Sequence, residues 1–216
     1  MSFSATLNKK KLRQVLLLCV LAFLTPALAC DSAPPTTTGR SVIRLTDSFK
    51  RAEKSVDSGR LPLERVLGRS TKKLEGEDRP VIRQHPAGTL RYRLRIPRDA
   101  VLRFGYCMAP HTWKKSPDGI RFHLRARRIG SRGSRATKPM TLFSAALDPM
   151  NRSAHRRVFE QRVDLARLGG EMWELVFNLS HGPDNNVNWD TGYWVDPRIE
   201  YPAGEIEVPA GNPARP

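Results

Sequence analysis

Cysteine is scarce in this chain, and the three present do not make a disulfide framework. Cys19 lies in a leading apolar segment, which leaves Cys30 and Cys107 as a pair that nothing requires to join. Recognisable catalytic spacing is lacking too. The five histidines, at 85, 111, 123, 155 and 181, form no H-E-x-x-H or other metal-ligand pattern. No G-x-S-x-G nucleophile turn occurs. His155 and His181 fall in polar stretches where Glu160, Asp164 or Asp184 can approach them, but any chain of this size offers such combinations. A hydrolase therefore ranks third among the functions considered. There is no internal repeat and no long run of helical period, which excludes a solenoid or a helix bundle.

What is present begins with an export address. Lys9, Lys10, Lys11 and Arg13 precede an apolar run at residues 15–24. Roughly ten residues is too short for a membrane-spanning helix but suits a signal peptide. Ala27 and Ala29 fit an A-x-A cleavage site, so residues 1–29 are expected to be removed. Cys30 follows directly, and the site resembles a bacterial lipobox, in which the Cys is acylated and becomes the new N-terminus. Ala27 stands where that motif usually has Leu. The expectation is a lipid anchor at Cys30 in the inner or outer membrane of a bacterial envelope; the alternative is a secreted protein that begins with Cys. Residues 30–40, rich in Pro and Thr, read as a flexible tether. Losing residues 1–29 takes the formal charge from +16 to +12. That balance favours polyanions such as acidic polysaccharide or lipid phosphate, or reflects arginine used wherever a polar surface residue serves. Export makes nucleic acid an unexpected partner.

Residues 41–60 allow two readings. Leu45, Phe49, Ala52 and Val56 have helical spacing, while 41–45 can be an opening strand. Residues 61–67 suggest a short strand, and the charged stretch 68–80 a loop. From residue 89 the period becomes two. Leu90, Tyr92, Leu94 and Ile96 alternate with Arg91, Arg93 and Arg95. Residues 101–108 repeat the pattern, as do 119–129, where Ile120, Phe122, Leu124 and Ala126 alternate with Arg121, His123, Arg125 and Arg127. Further strands are predicted at 140–146, 157–165 and 171–179. The closing strand is predicted at 189–199, with Asp190 and Asp196 at its ends. Trp189, Tyr193 and Trp194 are expected to anchor it; parity sends Tyr193 and Trp194 to opposite faces, so one of the two fills the core, and the choice made is Trp194. The predicted class is all-β: an antiparallel two-sheet sandwich over residues 41–201, followed by a Pro/Gly-containing tail at 202–216.

The order of these pieces resembles the galactose-binding-like jelly-roll modules found in bacterial envelope proteins. The carrying residues are Ala100-Val101-Leu102-Arg103-Phe104-Gly105, Asp118-Gly119-Ile120-Arg121-Phe122, Leu142-Phe143-Ser144, Val163-Asp164-Leu165, and Trp189-Asp190, Gly192-Tyr193-Trp194 and Pro197-Arg198-Ile199. They span about residues 89–200. The resemblance implies a jelly-roll sandwich, often a structural calcium ion, and a binding rather than catalytic role. A jelly roll hosts many activities, so function drawn from it is analogy.

Three candidate sites follow. His111, Trp113 and Lys114 lie in a polar stretch between strands, where a flat ring can take a sugar's C–H face; alternatively Trp113 plugs one end of the sandwich. Asp184, Asn186, Asn188 and Asp190 place oxygens at alternate positions, as calcium loops do, though Trp189 and Val195 replace the Gly and Glu of an EF-hand. The alternative is an Asx-rich turn. Finally, Arg91, Arg93, Arg95, Arg121 and Arg125 form a cationic surface if their strands share a sheet, and only aid solubility if they do not. The leading expectation is a non-catalytic envelope module binding carbohydrate or an anionic envelope polymer. A structural or assembly protein meeting another envelope protein is second.

Overall fold

The computed structural model describes residues 39–57, 61–116, 118–130, 138–184 and 187–204. Its strands are β1 (Arg40–Arg44), β2 (Glu53–Val56), β3 (Leu67–Leu74), β4 (Glu77–Gln84), β5 (Gly88–Arg95), β6 (Val101–Met108), β7 (Ile120–Arg128), β8 (Met140–Leu147), β9 (Phe159–Asp164), β10 (Met172–His181) and β11 (Gly192–Pro202). A single helical turn, α1 (Leu63–Val66), precedes β3.

The strands form two antiparallel sheets. The first runs β3-β4-β11-β6-β9, with β1 also paired to β11; the second runs β2-β5-β10-β7-β8. From β4 onward the pairs are nested: β7 with β8, β6 with β9, β5 with β10, and β4 with β11. This is one long hairpin rolled into two sheets, the order of a jelly roll. The register brings Gln84, Met108, Ile120, Leu147, His181 and Gly192 to one end. The described residues of the connections 85–87, 109–119, 148–158 and 182–191 therefore gather there.

Alternation fills the space between the sheets. Leu90, Tyr92 and Leu94 from β5 and Leu175, Phe177 and Leu179 from β10 meet Leu102, Phe104 and Met108 from β6. Trp194, with 0% of its surface exposed, is at the centre. Its ring lies edge-on to Phe104 at 5.4 Å and to Phe122 and Phe177 at 5.0 Å. Its indole N–H donates to Gln84 Oε1 at 2.7 Å. The buried Gln84 amide in turn donates to the carbonyls of Gly88 and Phe177, joining the two sheets. Gly192 allows β11 this close, since a Cβ there would come within 2.7 Å of Leu179 and 2.8 Å of Phe122.

Tyr193 points the other way. It is buried with Leu74, Val81, Cys107 and Val195 in a smaller cluster on the opposite face. Cys107 is a free thiol, and burial pushes its pKa up to about 12, so it behaves as a small apolar residue.

Of the two readings of residues 41–60, the opening strand is the one observed, as β1, and three further expectations need correction. Residues 45–52 form turns closed by bonds such as Phe49 N–H to Thr46 O and Arg51 N–H to Ser48 O, not a helix. Residues 63–66 are a helical turn rather than part of a strand. The charged stretch 68–80 is the hairpin of β3 and β4, turned by two consecutive left-handed residues, Glu75 and Gly76. β3 is an edge strand with five consecutive exposed positions, so it needs no alternation. Asp196 does not end the closing strand. It lies inside β11 with φ of 42°, where the register shifts between Val195 and Arg198. The bulge lets Pro197 sit in a central strand and hands β11 from β4 to β1.

Candidate functional site

Two of the gathered connections, 85–87 and 109–119, hold described residues of the segment ending at Gly192. His85 Nε2–H donates to Val187 O at 3.0 Å. Ser116 Oγ–H donates to Asp190 Oδ1 at 2.7 Å. Ala109 N–H donates to Thr191 O at 2.8 Å. Asp118 Oδ2 accepts from Asp184 N–H at 2.9 Å. Gly182 is the point of closest approach, since a Cβ there would be 2.1 Å from Asp118 O.

These ties set the position of Trp189. It is not a core anchor, as expected from its place beside Tyr193 and Trp194. Its side chain is 51% exposed, and its backbone is left-handed with φ of 67°. A bulky residue in that region is a conformational outlier that the surroundings must enforce. Asp190, next in the chain, is buried and bonded to Ser116. The neighbouring Lys115 places Nζ 4.1 Å from the centroid of the Trp189 ring.

The expected sugar-contact residues are differently disposed. His111 and Lys114 are exposed. Trp113 is half-buried against the core, and its indole N–H donates to Met108 O at 2.9 Å. The same end carries a cleft of about 420 Å³. Asp118, Arg121, Asp148, His155 and His181 line it.

The residues expected to hold calcium differ in exposure. Asp184 and Asn188 are exposed, whereas Asp190 is buried; Asn186 lies outside the described residues. Two buried carboxylate oxygens lack a hydrogen-bond partner, Asp118 Oδ1 and Asp190 Oδ2. Two ligands fall short of the six to eight oxygens calcium takes. Among the described residues no group of three His, Cys, Asp or Glu is placed to hold a metal. The Asp190 carboxyl is instead pushed up to about 6, by burial first and by the charge of Asp118, against the opposing Ser116 hydrogen bond.

The arginine rows share a sheet. β5 and β7 both pair with β10, so Arg91, Arg93, Arg95, Arg121 and Arg125 lie on one outer face. Cys30 lies outside the described residues, as do residues 1–29, expected to be a signal peptide, and the tail beyond residue 204.

No family model matches the chain. A stretch of 107 residues is 32% identical to an uncharacterized protein of Archaeoglobus fulgidus and makes up 49% of this chain and 25% of that one. The chain thus spans about a quarter of the length of the curated relative it matches. Among solved structures it is similar to CBM51 of a Clostridium perfringens GH95 protein, solved with methyl-galactose. There the TM-score is 0.46 and the identity 15%, over 74% of this chain and 99% of that one. It is also similar to the CBM51-2 and INT domains of Clostridium perfringens ZmpB, with a TM-score of 0.46 and 16% identity, over 76% of this chain and 32% of that one. A family 35 carbohydrate-binding module from Clostridium thermocellum gives a TM-score of 0.36 and 9% identity, over 76% of this chain and 99% of that one.

Proposed function

We propose that the domain is a carbohydrate-binding module whose loop end holds a sugar ring against Trp189. The observation that carries this reading is a tryptophan half-exposed on a strained backbone, braced from below by a buried Asp190–Ser116 bond. An unstrained residue would serve a merely structural turn better, so the strain points to a role for the ring itself. Indole offers a flat apolar face for sugar C–H groups, and Lys115, whose ammonium lies over one face of the ring, supplies a donor for hydroxyls at its edge.

Trp189→Gly separates function from folding. Glycine accepts the left-handed backbone without the roughly 1–2 kcal/mol that other residues pay there. The variant should melt at or above the wild-type temperature while its affinity for the best neutral sugar of a glycan array falls at least tenfold in calorimetry. Unchanged affinity would sink the proposal.

The same reading places the module at a bacterial envelope, tethered by residues 31–40 to an acylated Cys30. Mass spectrometry of the native N-terminal peptide should find a diacyl- or triacyl-modified Cys30; an unmodified N-terminal Cys30 would remove the anchor.

A further inference from the structure

We propose that the outer face of the second sheet is a separate binding site for an acidic polysaccharide bearing carboxylate or sulfate groups. Alternate residues along a strand stand about 6.6 Å apart, and strands separated by one neighbour lie about 10 Å apart. β5 and β7 flank β10, so their arginines form two rows on such a lattice. Arg93 faces Arg127 across Glu174, and Arg91 faces Arg125 across Val176. Arg95 extends the β5 row past Met172, and Arg121 extends the β7 row past Ser180.

The rows are built, not merely crowded. Glu174, 2% exposed, accepts from Arg93 Nε at 3.0 Å and from Arg127 Nη2 at 2.7 Å. Glu53 pairs with Arg93 at 3.0 Å and Arg91 at 3.6 Å, and Arg91 also donates to Ser55 Oγ at 2.8 Å. These partners hold the guanidinium groups in place. Arg121 and Arg125 are exposed and make no ion pair among the described residues. Six arginines therefore face two carboxylates on this sheet. On the first sheet, Arg40, Arg44, Arg103 and Arg198 are paired with Asp196 or Glu200.

Between the rows lies a shallow groove of about 370 Å³, lined by Arg91, Arg125, Arg127, Pro139, Glu174 and Val176 among others. Val176 gives it an apolar floor for a sugar ring, and the planar guanidinium groups suit two-pronged bonds to carboxylate or sulfate. The outward positions of β5, β10 and β7 carry no Phe, Tyr or Trp. His123 is the one ring on these outward positions, so a run of bases has no row of aromatic rings to stack on, which favours a polysaccharide over single-stranded DNA.

The test uses the folded chain from Cys30 onward against dextran sulfate, polygalacturonate, neutral dextran and a single-stranded 20-mer DNA, at two salt concentrations. Dextran sulfate or polygalacturonate should bind at least tenfold more tightly than DNA of equal charge, and neutral dextran should not bind to this face. Arg91→Ala with Arg125→Ala should lower acidic-polymer affinity at least tenfold and leave neutral-sugar binding at Trp189 unchanged. Trp189→Gly should do the reverse, so either site can fail alone. Acidic-polymer binding that survives the double substitution, or equal affinity for DNA, would overturn the proposal.

Discussion

Trp194→Ala should lower the stability of the domain by about 3–5 kcal/mol, the usual range for deleting a buried aromatic side chain. A typical domain has only about 5–15 kcal/mol in total. Trp194 is fully buried and meets Phe104, Phe122 and Phe177 edge-on, so both sheets lose contacts at once. The deletion also strips Gln84 Oε1 of its indole donor. Trp194→Phe isolates that second effect. It keeps most of the volume but strands a buried amide oxygen, at roughly 1–3 kcal/mol. Urea melts at constant m should rank Ala below Phe and Phe below wild type. A near-neutral Trp194→Ala would mean that this ring is not what joins the sheets.

Stability should fall as the pH rises from about 4 to about 6, through Asp190. Its carboxyl is raised from an ordinary value of 3.8 to about 6, burial being the main cause. In that interval the folded state binds more protons than the unfolded one, so raising the pH favours unfolding. The contribution is fully present below about 4 and lost above about 6. Denaturant midpoints across pH 4–7.5 should fall less steeply for Asp190→Asn, which cannot ionise. Parallel curves for the two proteins would show that Asp190 does not titrate between those limits. The group matters beyond stability, since it braces the neighbouring Trp189 through Ser116.

The strands whose two faces meet different surroundings were legible in the sequence. β5 and β7 have core on one side and water on the other, so their period of two is plain. β3 was not, because an edge strand exposed along its middle carries no alternation. The arginine parity could be read directly, but the sharing of one sheet could not. That depends on β10 lying between β5 and β7, a pairing of residues far apart in the chain. Trp189 misled for a related reason. Its neighbours Tyr193 and Trp194 are buried, and adjacency suggested one anchor. What turns Trp189 outward is the burial of Asp190 against Ser116, a bond across 74 residues that local pattern does not contain.

The nested strand pairing also governs when the domain can fold during its synthesis. Loop closure grows more costly as the enclosed chain lengthens, so inner pairs form ahead of outer ones. The hairpin of β7 and β8 closes locally, whereas β1 reaches its place only when Arg40 lies beside Pro202. β11 is the last strand made and lies between β6 on one side and β4 and β1 on the other. A nascent chain short of residue 192 thus lacks the middle of its first sheet and its Trp194 core. Folding of this domain waits until β11 is available, and a chain cut within the connection before β11 has no smaller native unit to settle into.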